Sequence, residues 1–107
     1  MKIITGKRGS GKTTELIKES AESNYPIVVA SYSHELHILE LAKRLKFDIP
    51  QPILANNLPS ALGREYEGFL IDEIGAVLPI LLNTNAHLKG LTVGLDNLNL
   101  SFKDYDK

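Results

Sequence analysis

Eight residues near the start of the chain constrain its fold more than any others. Gly6-Lys7-Arg8-Gly9-Ser10-Gly11-Lys12-Thr13 follow a short apolar run, Lys2 to Thr5, and lead into an amphipathic stretch from Thr13 to Ser23. The glycines open backbone angles closed to other residues, so successive amide N–H groups can turn inward around an anion with no Cβ in the way. A strand before the loop and a helix after it aim the free N–H donors and partial positive charge of the helix N-terminus at the same point. The pattern G-x-x-x-x-G-K-[ST] is matched in full, and its ligand is a phosphate chain.

That pattern assigns roles residue by residue. Gly6, Lys7, Arg8, Gly9, Ser10 and Gly11, with Lys12, Thr13 and Thr14, form the expected phosphate site. Lys12 is expected to bridge the β- and γ-phosphates of a nucleoside triphosphate such as ATP, and the Thr13 hydroxyl to ligate Mg²⁺. A metal held this way needs an acidic partner. Phe69-Leu70-Ile71-Asp72-Glu73 supplies one: it is apolar until two carboxylates appear at its end. Asp72, closing a buried parallel strand, would face the crevice shared with the glycine loop and serve as the metal residue. Glu73 is then placed to polarise a water, or a substrate hydroxyl, and is the catalytic candidate beside Lys12.

The rest of the chain alternates strand and helix. Thr13 to Ser23 places Leu16, Ile17 and Ala21 on one face and Glu15, Lys18, Glu19 and Glu22 on the other, and Asn24-Tyr25-Pro26 stops it. Ile27 to Ala30 is a continuous apolar run of the kind buried on both faces of a parallel sheet. Ser33 is the expected cap of a second helix ending near Lys46, with Leu36, Leu39, Ala42 and Leu45 at near-helical spacing. Ile53 to Ala55 is a short apolar run and Leu58 to Arg64 one or two helical turns. A third helix is expected over Pro79 to Asn85, with Pro79 in its first turn. Leu91 to Leu95 reads as a strand, Leu98 to Phe102 as an edge strand, and Lys103 to Lys107 as a frayed tail. One domain, residues 1–107, follows, of α/β class with a mainly parallel sheet of about five strands and right-handed crossovers. At 107 residues it would be a minimal or truncated example.

Composition narrows the partners. Twelve basic against thirteen acidic residues leave a net charge of −1, so no global field draws the chain to nucleic acid or an anionic membrane. The absence of cysteine removes thiolate metal sites and Cys nucleophiles and fits a reducing compartment. With no membrane-spanning apolar stretch and no signal peptide before the first strand, a cytoplasmic location is expected. His34 and His37, three apart on the second helix, have ligand-like spacing, but no third ligand is arranged around them, and a surface or capping role is the expectation. Arg44 and Arg64 are candidate arginine fingers, in cis or across a subunit interface. Asp96 and Asn97 could sense a γ-phosphate or form a turn.

Through Gly6 to Thr13 together with Phe69 to Glu73, the sequence resembles the P-loop NTPases that carry an acidic Asp-Glu pair. That division includes helicases, terminase motors, RecA-like ATPases and type II thymidine kinases. The resemblance implies the three-layer P-loop fold and gives Lys12, Thr13, Asp72 and Glu73 the roles derived above. Val28 to Ser33, followed by Gly63-Arg64-Glu65-Tyr66, looks like the nucleotide-binding lobe of helicases and phage terminases. Ile71-Asp72-Glu73 and Gly94-Leu95-Asp96 look like thymidine kinases, although Ile74-Gly75-Ala76 departs from the Gln-Phe pair expected there. Small stand-alone proteins of this kind are similar to ones carried by phages and mobile elements. Three functions stay open: Mg²⁺-dependent ATP hydrolysis, weak or stimulated by a second subunit or a protein partner donating Arg; phosphoryl transfer to a nucleoside or nucleotide; and nucleotide-responsive binding without turnover.

Overall fold

The computed structural model describes residues 2–7, 9–58 and 66–93, and the backbone of 99–103. Strand β1 (Lys2–Gly6) runs into the glycine loop, and helix α1 (Lys12–Ser23) follows it. Asn24 ends α1 in the left-handed conformation, φ 64°, and returns its N–H to the Ser20 carbonyl at 2.8 Å, a termination Asn tolerates better than most residues. Strand β2 (Ile27–Val29) leads into helix α2 (Tyr32–Leu45). The cap of α2 is Ser31, not Ser33. Ser31 is extended, φ −144°, and its Oγ accepts the His34 N–H at 3.3 Å, the three-residue reach that a capping hydroxyl needs. Ser33 lies inside the first turn and shares a hydroxyl contact with Ser31 at 3.2 Å.

Strand β3 (Ile53–Leu54) gives way to a 3₁₀ turn (Ala55–Asn57), so the short apolar run does join a sheet. Of the expected helix over 58–64, residues 59–64 lie outside the described residues. Strand β4 is two residues, Leu70–Ile71, and Asp72 extends its ladder by donating its N–H to the Val28 carbonyl at 3.2 Å.

Helix α3 spans Ile74–Leu81, which corrects the expectation of Pro79 to Asn85. It starts at once after Glu73, and Pro79 sits inside it rather than in its first turn. A proline there leaves the carbonyl four residues back, that of Gly75, without its helical donor. Gly75 is exposed, so water can serve that carbonyl. The expected strand over Leu91 to Leu95 is also corrected in its described part: Leu91–Val93 carry no strand pairing, and Leu91 is 58% exposed. An apolar run makes a strand only where a neighbour accepts its ladder. Strand β5 (Asn99–Lys103) pairs with β1 in parallel, close to the expected edge strand.

Among the described residues the strands fall in two parallel sheets rather than one: β1 with β5, and the three-stranded order β3-β2-β4. The chain is therefore a mixed α/β protein whose three-stranded sheet carries helices on both faces. Alternation along β2 explains this. Ile27 and Val29 point to one side, where they are fully buried with Ile17 of α1 and with Ile38 and Ala42 of α2. Val28 points to the other, against Ile53, Ala55, Leu58 and Val77 of α3. Each such aliphatic side chain taken from water contributes about 1.5–3 kcal/mol, so β2 anchors both layers. No described helix is long and apolar enough to cross a membrane.

Candidate functional site

The loop between β1 and α1 has the conformation that its glycines permit. Gly9 and Gly11 take φ of 79° and 94°, a region costly for L side chains, and a Cβ at either would meet only open space. Steric crowding therefore does not require these glycines; backbone angle does. Ser10 donates its N–H to the Lys7 carbonyl at 3.0 Å, closing the turn. Gly11 caps α1 without a side-chain acceptor, and at the helix start the Glu15 N–H donates to the Gly11 carbonyl at 3.0 Å. The N–H groups of Lys12, Thr13 and Thr14 precede that bond and are the donors a helix start leaves for a cap or an anion.

Two further features shape the loop. Lys12 folds back so that its Nζ donates to the carbonyls of Gly6 and Lys7, each at 2.8 Å, laying the ammonium across the loop. The Ser10 hydroxyl is buried with no hydrogen-bond partner among the described residues, which costs roughly 1–3 kcal/mol unless a ligand supplies one. Of the other loop residues, Lys7 is exposed and Arg8 lies outside the described residues.

Asp72 meets this loop from the end of β4. It is 5% exposed, and its carboxylate faces the Thr13 hydroxyl, with Oγ1 at 3.3 Å from Oδ2 and 3.5 Å from Oδ1. The two residues assigned to a metal by sequence are thus side by side. Among the described residues no group of three His, Cys, Asp or Glu could cage a metal. That donor set still fits Mg²⁺, which binds through one or two protein oxygens and completes its octahedron with waters and phosphate oxygens.

Glu73, the next residue, holds φ 64° and ψ 70° at the start of α3. A non-glycine residue pays about 1–2 kcal/mol there relative to the right-handed region, and such outliers gather at functional sites. Its side chain is exposed, and its carbonyl accepts the N–H groups of Ala76 at 2.9 Å and Val77 at 3.1 Å. The strained backbone turns the chain sharply, so that Asp72 stays buried while Glu73 faces solvent.

Sequence reasoning singled out His34 but missed its partner. Instead of a surface or capping role, its ring lies against Asp72, with Nε2 at 2.7 Å from Oδ2. A carboxylate in its ionised form only accepts, and the tautomer with the proton on Nε2 is the one that donates to it. The signal was the position of His34 in the first turn after β2, but it becomes readable only once β2 and β4 are known to be neighbours. His37 is exposed. Arg44 lies ten positions beyond His34 on α2, about 15 Å along the helix, so the structure does not bring it to the loop in cis. Arg64, Asp96 and Asn97 lie outside the described residues. Compared with family models, curated proteins and solved structures, the chain matches none.

Proposed function

We propose that the protein is a P-loop NTPase that binds a nucleoside triphosphate with Mg²⁺ in the loop between β1 and α1 and hydrolyses it slowly, or faster when a partner completes the site. The observation that carries this reading is the approach of Thr13 to Asp72 beside an uncapped helix start. A phosphate chain, a cation and an acid would meet there. The same contact supports reading the two sheets as parts of one mainly parallel sheet of about five strands, because Thr13 follows β1 and Asp72 follows β4. Packing of α1 against both β1 and β2 favours that arrangement too.

The roles follow from chemistry. N–H groups of the loop and of the first turn of α1 would surround the β-phosphate, and the Ser10 hydroxyl would gain a phosphate oxygen as acceptor. Lys12 would exchange two neutral carbonyls for anionic β- and γ-oxygens, contacts about twice as strong. Thr13 and Asp72 would hold Mg²⁺, which neutralises charge developing on the phosphate oxygens. Glu73 would accept a proton from the water whose oxygen attacks the γ-phosphorus. The bond from that phosphorus to the β–γ bridging oxygen breaks, and the bridging oxygen leaves with the nucleoside diphosphate. Arg44 is too far along α2 to stabilise this charge, so a second subunit or protein partner supplying Arg would raise the rate.

Calorimetry of ATP with Mg²⁺ against wild type and Lys12→Ala tests binding. Binding by the wild type that is lost in the variant is expected, and no binding by the wild type up to millimolar nucleotide would refute the reading. Phosphate release from wild type and Glu73→Gln tests turnover. Equal, background-level release from both would leave a binding module, and conversion of ATP to the diphosphate without free phosphate when nucleosides are added would indicate transfer.

A further inference from the structure

We propose that His34 is a positioning residue for the metal-holding carboxylate: its ring holds Oδ2 of Asp72, the oxygen nearer Thr13, and so keeps the whole carboxylate turned towards Thr13 and the loop. The inference rests on the nucleotide- and Mg²⁺-binding reading above and adds a residue from outside both motifs.

Asp72 is 5% exposed, and a buried carboxylate requires hydrogen-bond donors. The described residues give it two side-chain donors of unequal strength. The Thr13 hydroxyl stands 3.3 to 3.5 Å away, beyond the usual 2.5–3.0 Å of an O–H···O bond. His34 Nε2 stands at 2.7 Å, the length of a strong charge-assisted bond. The loose contact is the one that a cation shared by Thr13 and Asp72 would replace. The short one also falls on Oδ2, leaving Oδ1 with only the 3.5 Å contact to Thr13, so it can persist while Oδ1 takes up the metal.

His34 is also held firmly from behind. Its own N–H is bound by the Ser31 cap, and one turn further on Ile38 is fully buried in the core between α2 and β2. Glu35, itself 9% exposed, accepts a hydrogen bond from the Gln51 amide and ties α2 to the approach to β3. The imidazole therefore reaches Asp72 from a packed helix rather than from a loop. Hydrogen bonds to a ligating carboxylate commonly set its orientation, and their removal weakens metal affinity about 10–100-fold.

The test separates this role from a simple tie between α2 and β4. Affinity for a fluorescent ATP analogue is measured in EDTA and across a Mg²⁺ titration, and Mn²⁺ binding to the nucleotide-loaded protein is followed by electron paramagnetic resonance. His34→Ala is expected to need about 10–100 times more Mg²⁺ or Mn²⁺ for half-saturation, with affinity in EDTA unchanged. His34→Gln, whose amide can still reach Asp72, should restore the wild-type midpoint, whereas the shorter His34→Asn should not. If His34→Ala fails to fold, the Gln and Asn pair carries the comparison alone. A wild-type metal midpoint in the Ala or Asn variant, or an equal loss in EDTA and in Mg²⁺, overturns the positioning role while leaving the nucleotide site intact. Absence of nucleotide binding by the wild type overturns both proposals.

Discussion

Thr13 and Asp72 are 59 positions apart in the chain, yet the hydroxyl of one and the carboxylate of the other approach to 3.3 Å. Thr13 is placed by the first turn of α1 and Asp72 by the end of β4, so the pair joins the two sheets at the mouth of the glycine loop. Two oxygen donors brought together at a helix start, one of them buried and anionic, are what a hard cation shared with a phosphate requires. Asp72→Asn keeps the shape of the side chain and removes its charge. The variant should bind nucleotide in Mg²⁺ no better than wild type does in EDTA, as read by calorimetry in both buffers.

Ser10 offers a test in which stability and function move in opposite directions. Its hydroxyl is buried and has no partner among the described residues, so Ser10→Ala should stabilise the nucleotide-free protein by about 1 kcal/mol. For a domain of this size that raises the melting midpoint by roughly 4–8 °C. The same variant should bind ATP more weakly, because a phosphate oxygen loses the hydroxyl that would donate to it. A thermal melt without nucleotide and a binding titration check the two signs separately.

Backbone and side chain can be separated at Glu73. Its φ of 64° is a glycine-like angle, so Glu73→Gly should stabilise the fold by about 1 kcal/mol. Glu73→Gln keeps the strain and should leave stability near wild type. Both variants should lose phosphate release while retaining ATP binding, because each removes the proton acceptor and neither touches the loop. Chemical denaturation paired with a phosphate assay distinguishes them.

Ile38 tests the layer that supports the site. It is fully buried between α2 and β2, so Ile38→Ala should cost about 2–5 kcal/mol. The loss should appear as a lower denaturation midpoint, with saturating Mg²⁺ and ATP restoring part of it by mass action.

Several elements were legible without coordinates because their signals were local. The amphipathic spacing of Leu16, Ile17 and Ala21 marks α1, and the unbroken Ile27-Val28-Val29 run marks a strand buried on both faces, as its full burial shows. Ser31 and Ser33 are equally good capping residues; only the extended backbone at Ser31 decides between them. Helix α3 escaped because Ile74 to Leu81 is apolar on nearly every position and shows no polar face to reveal a period. Pro79, a helix-start residue by preference, then pointed five residues too far along the chain. The Leu91 to Val93 run has strand composition, but a strand also needs a partner, and partners are not written in a segment's own residues.

By itself, the sequence determined the glycine loop and the roles proposed for it. Glycine placement, the lysine and the hydroxyl residue act through backbone angle and local spacing, which need no distant contact. It also singled out Asp72 and Glu73 as acids closing an apolar strand. Tertiary structure alone decided what surrounds those acids. Asp72 meets Thr13 because β4 ends beside the start of α1, and it meets His34 because β4 pairs with β2, whose following helix begins at the same end of the sheet. Strand adjacency in a parallel sheet is set by packing of whole layers rather than by any residue in the strands that pair, and for that reason the contact of His34 with Asp72 became visible only in the folded chain.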